Sequence, residues 1–143
     1  MTAPDPGSLS VAIDWAFARL EASGGELARV PEEHARTLVV VVSAQGVIEN
    51  GGLAYFLGLD WPGTPPYALF VSAYLAIGAV REAALLEEAL AVLGLAHPER
   101  DLAARRAALA GPAGARLADL DRRWGDVQAK LAEHVARHSR ELP

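Results

Sequence analysis

The stretch Pro31-Glu32-Glu33-His34-Ala35-Arg36-Thr37-Leu38-Val39-Val40-Val41-Val42-Ser43-Ala44-Gln45-Gly46-Val47-Ile48-Glu49, followed by Asn50-Gly51-Gly52, decides the fold. Taken alone, Leu38–Val42 suggests a strand, because β-branched residues favour pleated structure. The apolar pattern continues through Ala44, Val47 and Ile48, too far for one strand. Pro31 suits a first helical position, and Glu32 and Glu33 fall where the helix dipole favours acids. A helix apolar on every side is a buried helix. Asn-Gly is a common hairpin signal, but after a helix it is better read as a helix end with left-handed residues.

The flanking segments repeat that signature. From about Ser8 to Ser23, Leu9, Ile13, Ala16, Phe17 and Leu20 form one stripe that stops at Gly24-Gly25. Leu53 to Leu59 is a short apolar piece, and Asp60 to Pro66 is a breaker. Further helices are expected at Pro65–Ile77, with Thr64 as N-cap, at Val80–Leu93 before Gly94, and at Pro98–Ala110. Gly78 is read as a close-packing position or a kink. From Gly114 to about Leu142, Leu117, Leu120, Trp124, Val127, Leu131 and Val135 recur every three or four residues, which predicts one long closing helix. On it, Asp119–Arg123, Asp126–Lys130 and Glu133–Arg137 are spaced for ion pairs. The fold class is all-α: a single-domain bundle over residues 1–143, of about six to seven helices with a long C-terminal helix, and residues 1–7 a flexible N-terminus.

Composition narrows function more than it reveals it. There are 143 residues, 52% hydrophobic, with no cysteine, which excludes disulfides, thiolate metal sites and cysteine nucleophiles. Eighteen acids against thirteen bases give a net charge of −5, which argues against direct nucleic-acid binding. The acids concentrate toward the N-terminal half. Met1 to Ser8 lacks a basic region followed by an apolar core, so no secretory signal is expected. Leu38–Val42 is too short to span a bilayer, so no membrane association is expected, and the localisation expected is cytoplasmic.

No constellation for catalysis is legible, and neither an enzyme activity nor a cofactor is expected. His134 and His138 share a helix face, but Val135 stands where a zinc-protease helix has glutamate. They are read as solvated on an exposed helix, with His34 and His97 isolated, and no metal site is assigned. Glu87 and Glu88 are adjacent and diverge by about 100° on a helix, so they are no carboxylate dyad. The aromatics Tyr55, Phe56, Trp61, Tyr67, Phe70 and Tyr74 crowd around the proline-rich loop. Most are expected in the core, with Trp61 and Tyr67, beside Glu32, Glu33 and Glu49, as candidate partner-binding residues.

The stretch Val47-Ile48-Glu49-Asn50-Gly51-Gly52-Leu53-Ala54-Tyr55-Phe56, then Ala76-Ile77-Gly78-Ala79, resembles the C-terminal domain of the DNA-mimic protein family, a bacterial domain largely of unknown function. Leu117 to Trp124 and His134 to His138 resemble its closing helix, so the likeness spans residues 37–138. Leu53 stands where that family usually has Phe, and Gly58-Leu59-Asp60-Trp61 replaces a small polar continuation. The resemblance implies an all-helical fold with Asn50, Gly51, Gly52, Tyr55, Phe56, Ile77 and Gly78 as structural motif. For some members it implies binding to a DNA-binding protein in place of DNA. In the motif, Gly51 and Gly52 allow positive φ, so a β-branched residue at Gly51 is expected to strain the turn. The function expected is a non-enzymatic interaction module with a protein partner. The alternatives are a true DNA mimic, a toxin-immunity partner, or a small-molecule pocket or enzyme at the Asn-Gly-Gly turn; a homodimer is a further option.

Overall fold

The computed structural model describes residues 6–138. They form seven α-helices: α1 (Pro6–Ala22), α2 (Glu33–Gly58), α3 (Tyr67–Ala76), α4 (Val80–Leu93), α5 (Leu102–Leu109), α6 (Pro112–Arg123) and α7 (Gln128–Arg137). Short 3₁₀ turns lie at Leu27–Arg29 and Pro98–Arg100, and the described residues contain no strand. The expected flexible N-terminus lies outside the described residues at positions 1–5, while Pro6 already opens α1.

The valine run is helical, and all of it but the half-buried Val42 lies in the core. Leu38, Val39, Val40 and Val41 are all fully buried, and four successive residues at about 100° per residue sweep the whole circumference of a helix. Helices α1, α3, α5 and α6 pack around α2, α4 bridges α3 and α6, and α7 lies against α1. At 26 residues, α2 is long and apolar enough to cross a membrane by length and composition, contrary to the expectation drawn from Leu38–Val42 alone. Here most of its apolar residues are packed against the surrounding helices instead.

Helix α2 does not end at the Asn-Gly-Gly turn. It passes through it with a kink at Gly52, whose φ of 78° and ψ of −177° belong to a region open almost only to glycine. The short apolar piece after the turn continues the helix, and the kink aims Leu53, Phe56 and Leu57 into the core, all fully buried. Positive φ belongs to Gly52 and not to Gly51. Gly51 is constrained by contact: a Cβ there would sit 2.6 Å from the Cβ and Cδ2 of Tyr55. Gly78, at φ 81°, is the turn after α3, where the Ala79 amide donates to the Tyr74 carbonyl at 2.9 Å. Nothing lies within 4 Å of where its Cβ would be, so close packing is not its role. Thr64 caps nothing, since α3 starts after Pro66 without a side-chain cap.

The long closing helix is corrected. It is two helices, α6 and α7, broken from Trp124 to Val127, and the last is only ten residues long. Trp124 is extended (φ −72°, ψ 132°), and the Asp126 carboxylate accepts from the Gln128 amide at 2.9 Å, turning the chain into α7. That break removes the Asp126–Lys130 pairing. Among the described residues, Asp119–Arg123 at 3.9 Å is the one ion pair formed of the three expected.

The C-terminal end of α2 is held by a buried cation. Arg105 is 3% exposed; its Nε donates to the Leu57 carbonyl at 2.7 Å, Nη1 to Pro98 at 2.6 Å and Nη2 to Leu59 at 2.9 Å. A guanidinium suits this place because its planar fork reaches several carbonyls and complements the negative helix end.

These constraints can be tested by substitution at Gly52, Gly46 and Arg105. Gly52→Ala is expected to destabilise by about 2–3 kcal/mol in urea titrations, through strained φ and a Cβ placed against Asp121. Gly46→Ala, at an exposed helical position with open space around it, is expected to gain about 0.5–1 kcal/mol. Arg105→Met is expected to cost about 2–4 kcal/mol by the same measurement, because it orphans buried carbonyls, and Arg105→Lys to recover only part of that.

Candidate functional site

The kink in α2 generates the site. Breaking the helical ladder at Gly52 frees the Leu53 amide, which donates to Asp121 Oδ1 of α6 at 2.8 Å. A carboxylate at the start of a helical segment satisfies an orphan N–H and complements the dipole. Two turns earlier on α2, Gln45 is buried and uses its whole amide. Its Oε1 accepts from the Tyr74 hydroxyl at 2.9 Å and from Trp124 Nε1 at 3.1 Å. Its Nε2 donates to Glu49 Oε1 and to the Gly125 carbonyl, each at 3.1 Å. Burial raises the Tyr74 hydroxyl above the usual range, so it stays a donor. One side chain thus joins α2, α3 and the α6–α7 break.

Above this network lies an open cleft of about 290 Å³ lined by Ile48, Glu49, Gly52, Asp121, Trp124, Gly125 and Asp126. Three carboxylates line it and no basic residue does. Glu49 and Asp126 are exposed, whereas Asp121 is half-buried. Among the described residues no arginine or lysine forms an ion pair with any of the three.

The other sequence candidates divide. Asn50 is exposed, and Tyr55, 44% exposed, covers Gly51. Phe56 is fully buried and its ring lies 5.7 Å from Trp61, 5.8 Å from Tyr67 and 5.0 Å from Phe70. Tyr67 is buried and Trp61 half-buried, so this group of rings is a core layer and offers little surface to a partner. Ile77 is likewise buried, at the end of α3. Glu32 is engaged by Arg19 of α1, with Nη2 2.7 Å from Oε2, and that guanidinium holds its carboxyl below the usual range. Glu33 is exposed and lines two clefts, one of about 350 Å³ between α2 and α3 and one of about 220 Å³ bounded by histidines. Gln45 and Asp121 carry no signal of these roles in the sequence, since their partners on other elements lie 29 to 80 positions away.

The histidines also require correction. His134 is buried and not solvated, and His34 is not isolated: His34 Nδ1 lies 3.2 Å from His134 Nε2 across 100 positions of sequence. The His34 ring stacks on His138 at 4.8 Å and lies 5.9 Å from Trp15. Burial, with His138 and His34 as neighbours, pushes His134 down to about 4, so it is neutral at pH 7. The four-residue spacing of His134 and His138 was the visible half of this cluster. His34, on another helix, carried no signal.

Removing the Gln45 amide tests whether this network holds the site together. Gln45→Leu is expected to lose about 2–4 kcal/mol of stability, because it strands the Tyr74 and Trp124 donors. Asp121→Ala is expected to cost about 1–3 kcal/mol and Asp121→Asn less, since an amide oxygen still accepts from Leu53. Chemical denaturation of the three variants beside wild type checks both.

Comparison with known proteins completes the description. No curated protein and no solved structure matches the chain. A family model described as DMP19-like protein matches residues 28–141. The match takes in the whole of the 37–138 region on which the DNA-mimic resemblance was read. It includes α2 through α7, hence both the kink and the cleft. The chain belongs to the DMP19-like protein family.

Proposed function

We propose that this chain is a non-enzymatic, cytoplasmic interaction module whose partner is a basic protein of the DNA-binding kind. The observation that carries this reading is the cleft at the α2 kink, where Glu49, Asp121 and Asp126 gather without a basic residue in its lining. Membership in a DNA-mimic-like family and a net charge of −5 support it. The acidic N-terminal region is a weaker candidate for the contact. Glu32 is paired with Arg19 and Glu26 with Arg29, so part of that charge is neutralised in place. A surface that takes the place of DNA needs carboxylates whose charge reaches the partner, since opposed patches of unscreened charge steer association.

Retention of proteins from source lysate on the immobilised chain tests the reading. The expected outcome is a DNA-binding protein that duplex DNA displaces and that added salt weakens. The double variant Glu49→Gln/Asp126→Asn keeps both side chains' hydrogen-bonding oxygens, and it is expected to reduce retention at least tenfold at unchanged melting temperature. A partner indifferent to duplex DNA, or equal retention by the double variant, overturns it.

A further inference from the structure

We propose that His34, His134 and His138 form a three-imidazole site for a divalent transition-metal ion, zinc by ligand preference, which pins α7 to the start of α2. The three side chains come from two helices far apart in sequence, and their ligand atoms all lie within 4.8 Å of one another. Tetrahedral zinc with nitrogens at about 2.0–2.1 Å sets neighbouring ligand nitrogens about 3.3 Å apart. His34 Nδ1 and His134 Nε2 already stand at 3.2 Å. What remains is a ring adjustment by His138, the least buried of the three and the last described residue of the chain.

The surroundings support these three ligands. His138 Nδ1 donates to the His134 backbone carbonyl at 2.8 Å. A carbonyl only accepts, so the proton is on Nδ1 and Nε2 carries the lone pair. Metal-binding histidines commonly have their tautomer fixed in this way, through the other ring nitrogen. His134 is buried, and the Ala76 backbone beside it in the cleft is the polar group that favours a proton on its ring. The cleft of about 220 Å³ beside the rings supplies an entry path, and the Glu33 carboxylate lines it. Three imidazoles with one position left for water or carboxylate suit zinc, copper or nickel, and not the oxygen-seeking magnesium or calcium. The site is separate from the cleft at the α2 kink, with which it shares no lining residue.

Titration of the tag-free full chain, stripped with EDTA, with zinc chloride near neutral pH tests the proposal. One equivalent is expected to bind with micromolar or tighter affinity, and saturating zinc is expected to raise the melting temperature. His138→Ala, at a half-buried position, is expected to weaken binding by at least about a hundredfold while melting close to wild type without metal. His34→Phe keeps a ring against Trp15 and removes a ligand, and is expected to lose zinc binding likewise. Should His34→Phe fold poorly, His138→Ala decides. Absence of saturable binding by wild type below roughly 1 mM zinc, or an affinity unchanged in His138→Ala, overturns the proposal.

Discussion

A helix buried on every side is the constraint on which this structure depends. Once Leu38 to Val41 fold as a helix, no orientation of that segment lets water reach only a polar stripe. The remaining chain must close over it, and α1, α3, α5 and α6 do so from different directions. The burial relaxes toward the kink, where Gly46, Glu49, Asn50 and Gly51 reach the surface. Gly52 then re-aims the helix so that Leu53, Phe56 and Leu57 return to the interior. The polar cleft sits at this emergence because only there does the central helix meet solvent between two buried stretches.

A sheathed helix creates a second demand, since backbone and side-chain polar groups inside the bundle must be satisfied where water is scarce. The answer is a set of long-range hydrogen bonds. Asp121 serves the Leu53 amide, Arg105 serves the carbonyls of Leu57 and Leu59, and Gln45 serves Tyr74, Trp124 and Gly125. Apolar contacts tolerate sliding of one helix on another, whereas these directional bonds do not. They fix α3, α5 and α6 in register against α2. The break after α6 belongs to the same logic, because Trp124 and Gly125 reach Gln45 only if the chain leaves the helix there.

Much of this was legible in sequence wherever one physical rule acted alone. Val80–Leu93 is legible to the residue, because a clean apolar stripe runs into Gly94. The valine run reads as a helix because its apolar pattern outlasts any strand. The break at Trp124–Val127 was hidden because Trp124, Val127 and Leu131 keep helical spacing across it, so periodicity reports continuity while the backbone turns. Gly51 and Gly52 are identical in sequence, and only the packing of Tyr55 on one and Asp121 against the other decides which takes positive φ. Asp121, Arg105 and His34 act across 46 to 100 positions, where no local pattern points.

The distribution of charge shows why counting acids misjudges such a surface. A carboxylate held by a guanidinium, as Glu32 is by Arg19 or Glu88 by Arg123, presents little net field beyond its immediate neighbourhood. A carboxylate hydrogen-bonded to a neutral donor keeps its full charge. Glu49 receives an amide N–H from Gln45, Asp121 the Leu53 amide and Asp126 the Gln128 amide, so each is oriented without being neutralised. In physiological salt the field of a charge decays over about 8 Å, which restricts what a partner senses to charges grouped on one site. A mildly acidic chain can therefore present a strongly negative locus, provided the fold places its arginines elsewhere. In this chain Arg19 is spent on Glu32, Arg105 on the carbonyls at the end of α2, and Arg122 and Arg123 on Asp119 and Glu88.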